Sequence, residues 1–349
     1  MLKFVIFSLL VVSITGMPQK REHDYDISEN DSILQEYLKE IKKHVKLPPQ
    51  KHYESFEPTD IKFHLYTSEI PKGLELIFDR NFSLWNSSFD PKIETVILIH
   101  DYYSSERMLV EMISAYLMNN VNVITVSYER YAGIKFNKFF EVQKKIGKVV
   151  AEMIRYLYSI GVHPDTMHII GQGTGAHIAA SAANILFPLQ VGRITGLDPT
   201  GLDYDQNKSL EQLNQNSSVF VDVISTNSYE MGSGEHRGNI QFYPNVETGQ
   251  LRSNVYTDHM RAYQYFVESI MKPYVFKAYK AKNHTAHLKS KSGISDYMGH
   301  FVSRKNIGSF YLDALNYPPY GGKLQDNGKM SSVETKIHDK VPKEIEKHN

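Results

Sequence analysis

The sequence predicts a protein of the α/β class, built on a mostly parallel sheet with helices on both faces. Two observations lead to this prediction. The unbroken apolar run at 96–99 and the mainly apolar runs at 121–126 and 167–170 are typical of strands buried on both faces. Between them, apolar residues recur at helical spacing over 108–117 and 142–157. Strands that alternate with amphipathic helices form parallel sheets covered by those helices.

The other elements follow in chain order. Residues 61–66 alternate between polar and apolar, the pattern of a half-buried strand, and 74–78 are a second candidate. Ser105 is a predicted helix cap, because a serine hydroxyl can accept from the free N–H groups of a first helical turn. Gly161 and Pro164 are expected to end the long helix. Downstream, the sequence predicts a small-residue helix at 176–186 and strands at 193–197 and 219–224.

The two ends of the chain differ in composition from its middle. Residues 1–16 combine a basic start with an apolar run too short to span a bilayer, which predicts a secretory signal peptide and an extracellular protein. Residues 17–60 are polar apart from one helical pattern at 33–41, and we expect a loosely attached arm. Residues 61–320 carry the α/β domain. The charged tail, 321–349, is predicted to be disordered.

Composition narrows the functional classes. Basic and acidic residues both number 39, so the formal net charge is zero, which argues against a nucleic-acid partner. The chain has no cysteine, so its stability has to come from the core, although secretion would permit disulfides. No stretch predicts a transmembrane segment, and no cofactor or metal is expected. Secretion makes six Asn-x-Ser/Thr sequons candidate glycosylation sites: Asn30, Asn81, Asn86, Asn207, Asn216 and Asn283.

A glycine-rich turn follows the strand predicted at 167–170. In α/β-hydrolases, a G-x-S-x-G turn between a strand and a helix presents the nucleophilic serine, and here the turn runs from Gly171 to Gly175 with Gly173 at the centre. Glycines permit the strained turn even without the serine. The alternative is a dinucleotide-binding loop, but G-x-G-x-x-G requires a third glycine at position 176, which is Ala176.

Four later segments resemble the pancreatic-lipase family of α/β-hydrolases, and the resemblance extends over 63–320. They are Ile194-Thr195-Gly196-Leu197-Asp198-Pro199, then Phe220-Val221-Asp222-Val223-Ile224, then Gly238 to Asn245, and Asp258-His259-Met260-Arg261-Ala262-Tyr263. The resemblance implies an α/β-hydrolase fold. It also implies that Asp198 matches the catalytic acid, that His259 matches the catalytic base, and that Gly173 stands where the serine is lost.

The resemblance also places the oxyanion hole at His100-Asp101-Tyr102 and at the amide of Thr174. The family usually has glycine where this chain has Asp101, and a carboxylate there opposes a developing oxyanion. We therefore interpret Gly173 and Asp101 as two independent losses. Thr174 lies one residue too late to point at His259. The segment 246–257 is short for a lipase lid. We expect none of these residues to be catalytically functional.

The glycine-centred turn most resembles that of insect yolk proteins and other lipase-like secreted proteins of insects. This resemblance implies a catalytically inactive secreted glycoprotein with a storage or lipid-binding role. Its partners would be a lipid or other small apolar ligand and an uptake receptor. The alternative is a secreted lipase or phospholipase A1-like carboxylic ester hydrolase with a degenerate active site, which the retained Asp198 and His259 keep open.

Overall fold

The computed structural model describes residues 27–46, 55–77, 84, 87–228, 230–245, 254–315 and 317–322, with side chains from Ser32 onwards. The predicted signal peptide, the sequons Asn81 and Asn86, residues 246–253 of the short lid segment and the tail from 323 lie outside the described residues.

One sheet organises the described part of the chain. Its strand order is β2-β1-β4-β3-β5-β6-β7-β8-β11-β9-β10. Neighbours from β4 to β11 in this order pair in parallel, while β1, β2, β9 and β10 form antiparallel edges. The strands are β1 (Lys62–Tyr66), β2 (Leu74–Leu76), β3 (Thr95–Ile99), β4 (Asn122–Ser127), β5 (Met167–Gln172), β6 (Arg193–Leu197), β7 (Val221–Ile224), β8 (Ile240–Pro244), β9 (Lys277–Lys280), β10 (Ser295–Tyr297) and β11 (Gly308–Leu312).

Helices cover the sheet in two groups. Every residue of β3 to β7 is buried, so both faces of the central sheet are covered. The helix α3 packs on α4, whereas α1 and α2 pack on α6. These helices are α1 (Ile27–Ile41), α2 (Val110–Leu117), α3 (Phe136–Ser159), α4 (Thr174–Leu186), α5 (Leu202–Gln206), α6 (Val255–Met271) and α7 (His284–Lys289). The predicted α/β fold with a mostly parallel sheet is confirmed.

The structure corrects two local expectations. Residues 33–45 are not a loosely attached arm, because α1 and the turn after it bury apolar side chains that join the main core: Leu34, Tyr37, Ile41 and Val45. Ser105 precedes a short 3₁₀ turn (Glu106–Leu109) rather than α2 itself, and its side chain makes no capping hydrogen bond.

Candidate functional site

The glycine-centred turn joins the end of β5 to the start of α4, as the sequence predicts for a nucleophile elbow. Gly173 has φ of +51° and ψ of −116°, a backbone conformation that residues other than glycine adopt only with strain. Its N–H donates to the carbonyl of Leu197, at 3.0 Å, which fixes the turn against the end of β6. The strand–turn–helix geometry therefore forms with glycine at its centre.

The carboxylate of Asp101 occupies the space beside Gly173. A Cβ built at position 173 would lie 2.0 Å from Oδ1 of Asp101, 2.3 Å from its Cγ and 2.6 Å from its Oδ2. Asp101 follows β3, the strand next to β5, so the sheet brings the two loops together. A serine side chain at position 173 and this carboxylate therefore compete for one volume.

Asp101 is held by four hydrogen bonds. Its Oδ1 accepts from the backbone N–H of Thr174, at 2.7 Å, and from the Thr174 hydroxyl, at 3.2 Å. Its Oδ2 accepts from the Tyr37 hydroxyl, at 2.8 Å, and from Nε2 of His259, at 3.0 Å. The Thr174 N–H is the donor that the resemblance assigns to the oxyanion hole. Here it binds an anion from the chain itself.

The pair implied by the resemblance, Asp198 and His259, is present. Oδ2 of Asp198 lies 2.7 Å from Nδ1 of His259, and its Oδ1 accepts from the backbone N–H groups of Thr226 and Asn227, at 2.7 and 2.9 Å. His259 lies near the start of α6, whose first turn is capped by the side chain of Asn254. The imidazole is therefore clamped between two carboxylates.

The two carboxylates that bind His259 determine the protonation of the cluster. Burial by itself would lower the pKa of His259, but the hydrogen bonds and charges of Asp101 and Asp198 outweigh it and raise the pKa to about 10. Burial would raise the pKa of the Asp101 carboxyl, yet His259, Thr174 and Tyr37 together hold it below its usual value. At neutral pH, His259 is thus held as an imidazolium between Asp101 and Asp198.

The neighbouring predicted residues hold the loop in place. Nδ1 of His100 contacts the Asp101 carbonyl at 2.9 Å, and Nε2 accepts from the backbone N–H of Tyr128, at 3.1 Å. Burial lowers the pKa of His100 to about 4, so the ring is neutral. The Tyr102 hydroxyl donates to the carbonyl of Ile134. These contacts are structural and leave both rings inside the core.

Tyr37 is the residue that sequence reasoning missed. Its ring is fully buried and lies edge-on to the His259 imidazole, with 5.6 Å between ring centroids. Burial and the Asp101 charge raise the pKa of its hydroxyl well above the usual value, so it stays a hydrogen-bond donor. The helical spacing at 33–41 indicated an apolar face, but nothing local showed which polar group the hydroxyl would meet.

The cluster is closed to solvent. Asp101, Thr174, Asp198 and His259 are each at most 1% exposed. Both ring nitrogens of His259 are occupied by carboxylates, so the cluster offers no free ligand set for a metal ion. The Thr174 hydroxyl contacts Asp101 and the hydroxyl of Tyr128.

The surface sites remain predictions. Asn207 and Asn216 are exposed, and Asn283 is half-buried with its Oδ1 accepting from the N–H of Ala286. Asn30 lies within α1, outside the residues whose side chains are described. Within the described part of the chain, no helix is both long and apolar enough to cross a bilayer.

Known proteins resemble this chain over most of its length. A family model described as Lipase matches residues 33–314. Pancreatic triacylglycerol lipase of Myocastor coypus is 27% identical over 73% of this chain, and that of Homo sapiens is 26% identical over 75%. The chain spans 65% of the length of either relative. Mouse pancreatic lipase-related protein 2 is 27% identical over 65% of the chain and 54% of its own length.

Among solved structures, a Thermogutta terrifontis esterase 2, phosphonylated by sarin, matches with a TM-score of 0.31 and 12% identity. The match covers 62% of this chain and 81% of that one. A TM-score of 0.31 is too low to support an argument about the fold. The fold assignment rests on the strand order and on the family match.

Proposed function

The chain belongs to the lipase family, and we propose that it is a secreted member that does not hydrolyse esters. One observation carries the proposal: the Asp101 carboxylate lies where the nucleophile's side chain would stand and binds both His259 and the Thr174 amide. A single side chain thereby engages the position of the nucleophile, the base and the oxyanion hole. The match to mammalian lipases supports the family and leaves the activity to be tested.

Each of the three components of acyl transfer is altered. Gly173 supplies no hydroxyl to attack a carbonyl carbon. Asp101 and Asp198 raise the pKa of His259 to about 10, so the imidazole is held protonated at neutral pH, whereas a general base has to be unprotonated. The Thr174 N–H, which would stabilise a developing oxyanion, already donates to a carboxylate. Loss of one such donor alone typically costs about 10²–10³ in rate.

The test is a hydrolysis assay on the secreted, purified protein. The substrates are p-nitrophenyl butyrate, dispersed phosphatidylcholine and emulsified triolein, and the matched control is His259→Ala. We expect both proteins to give the rate of buffer alone. Turnover by the native protein that His259→Ala abolishes would refute the proposal.

We further propose that the role is storage, with transport of a lipid as the second candidate. The resemblance of the glycine-centred turn to insect yolk proteins supports storage, and the burial of the cluster beneath Tyr37 leaves the family's catalytic centre closed. An uptake receptor is the partner that such a role requires. Lipid extraction and mass spectrometry of the native protein separate the two roles, because a carrier has to contain about one lipid per chain.

One observation favours the alternative, a secreted ester hydrolase. The Asp198–His259 hydrogen bond, at 2.7 Å, holds the imidazole in the orientation that a working acid–base pair requires. A hydrolase would need a conformation in which Asp101 leaves the cluster. A fluorophosphonate probe distinguishes the two functions, because it labels an activated hydroxyl and we expect no label on this protein.

A further inference from the structure

We propose that Glu94, His168 and His300 form a binding site for a divalent cation of the zinc type. Each offers one ligand atom, and these atoms lie within 4.8 Å of one another. The site lies at the amino-terminal ends of the parallel strands, whereas Gly173 lies at their carboxyl-terminal ends. Glu94 immediately precedes β3, and His168 is the second residue of β5, the neighbouring parallel strand. His300 enters from the loop after β10.

Hydrogen bonding fixes the tautomer of His168. The Thr195 hydroxyl lies 2.7 Å from Nε2 of His168 and 2.8 Å from Oδ1 of Asp222. A hydroxyl has one proton, and the Asp222 carboxylate, which accepts two hydrogen bonds from Arg193, also accepts from Thr195, so the Thr195 oxygen accepts from Nε2–H of His168. The lone pair of His168 is therefore on Nδ1, which is the state required of a metal ligand.

That lone pair has an unusual environment. Nδ1 of His168 is buried and, among the described residues, has no hydrogen-bond partner. It faces Oε1 of Glu94 at 3.7 Å, which is too long for a hydrogen bond. A nitrogen lone pair and a carboxylate that face each other need a cation or a donor between them.

The surroundings support His300 as the third ligand. Its backbone carbonyl accepts from Nη1 of the buried Arg193, at 2.8 Å, and its N–H donates to the Ser269 hydroxyl, at 2.9 Å. Its ring is oriented by the Tyr116 hydroxyl, 3.2 Å from Nδ1. The loop is thus fixed before any ligand binds, which lowers the cost of assembling the site.

The donor set favours zinc over harder cations. Two imidazoles and one carboxylate suit Zn²⁺, whereas Ca²⁺ and Mg²⁺ prefer oxygen ligands. Adjacent ligands of tetrahedral Zn²⁺ lie about 3.3 Å apart. The Glu94 side chain is one third exposed, so a cation could reach the site from solvent.

Hydrogen bonds behind His168 are those expected behind a ligand. The chain Asp222–Thr195–His168 orients the ring in the way that carboxylates orient ligating histidines in metal proteins. The Arg193 charge is compensated by two hydrogen bonds to Asp222, at 2.7 and 2.8 Å. The positive charge of Arg304 opposes a bound cation, because it repels positive charge at both His168 and His300.

The experiment titrates ZnCl₂ into the full secreted protein after chelator treatment, by calorimetry and by competition with a zinc-binding dye. We expect one saturable Zn²⁺ per chain, a higher melting temperature with Zn²⁺, and neither effect with Ca²⁺. Glu94→Gln and His300→Ala should each weaken binding about tenfold or more, and Thr195→Val by about 10–100-fold. Arg304→Gln should strengthen it.

His163→Ala is the matched control, because His163 and Asp165 form an exposed pair of similar chemistry at 3.6 Å. It should bind Zn²⁺ like the native protein. Near-UV circular dichroism shows which variants fold. The proposal is overturned if the folded native protein binds no Zn²⁺ saturably, as expected if a water molecule bridges His168 and Glu94. It is also overturned if binding persists unchanged in folded Glu94→Gln and His300→Ala, or is lost in His163→Ala.

Discussion

Restoring the serine alone should damage this protein rather than activate it. In Gly173→Ser, the new Cβ would lie 2.0 Å from Oδ1 of Asp101, a separation that no real pair of such atoms tolerates. Either the elbow or the Asp101 loop has to move, and the four hydrogen bonds of the carboxylate are disturbed. We expect a folded but less stable protein without hydrolytic activity.

The magnitude has two parts. Overpacking a core typically costs about 1–3 kcal/mol. The positive φ of Gly173, +51°, adds about 1–2 kcal/mol for any residue with a Cβ. The free energy of unfolding should therefore fall by about 2–5 kcal/mol. Only the first part depends on Asp101.

A double-mutant cycle isolates that part. Asp101→Gly removes the obstructing carboxylate, leaves His259 with Asp198 as its one acidic partner, and frees the Thr174 amide. In the Asp101→Gly background, Gly173→Ser should cost about 1–3 kcal/mol less than in the native background. Guanidinium unfolding of the four proteins measures this coupling energy.

The same four proteins give a chemical readout. A fluorophosphonate probe should label the double variant, in which the introduced serine meets a His259 that no longer binds Asp101, and should leave both single variants unlabelled. Additive stabilities within about 0.5 kcal/mol would show that Asp101 does not occupy the serine position. Labelling of Gly173→Ser alone would refute the same reasoning chemically.

Three further outcomes are expected. Tyr37→Phe removes a hydrogen bond to an ionised carboxylate and should lower the free energy of unfolding by about 1.5–3 kcal/mol in guanidinium unfolding. The raised pKa of His259 stabilises the folded protein by at most about 5 kcal/mol, and this contribution is complete below about pH 6.5 and lost as pH rises through about 10. In Asp101→Asn, the free energy of unfolding should therefore fall less steeply between pH 7 and 10 than in the native protein. Arg193→Ala leaves Asp222 buried and unpaired, and thermal unfolding should show a loss of about 3–5 kcal/mol, against almost none for the exposed Arg130→Ala.

Much of the fold could be predicted because its signals are local. The buried strands β3 to β7 are rich in apolar residues, and the apolar residues of the helices between them recur every three or four positions, so each element is identifiable within its own window. The elbow could be placed because its glycines stand between a strand and a helix. The least accurate prediction concerned 33–41, where the periodicity indicated a helix but the surrounding polar residues suggested an arm.

The contacts within the site could not be predicted in the same way. Asp101 was identifiable from the sequence as adverse to an oxyanion, but whether its carboxylate faces solvent or the core depends on donors from three other elements. Tyr37 reaches it from α1, Thr174 from α4 and His259 from α6. The ligands proposed for zinc likewise come from distant parts of the sequence, and nothing near Glu94 or His168 has the spacing of a metal-binding motif.

The structure also changes how the two departures from the family relate. In the sequence Gly173 and Asp101 are two separate losses, yet a serine and this carboxylate cannot share the volume beside the elbow. Asp101 lies beside Gly173 and accepts from Thr174 N–H and His259 Nε2–H, the groups that the resemblance assigns to the oxyanion hole and to the base. His259 lies between Asp101 and Asp198, two buried carboxylates that would otherwise repel each other, so we expect its loss to destabilise the fold even where no reaction depends on it.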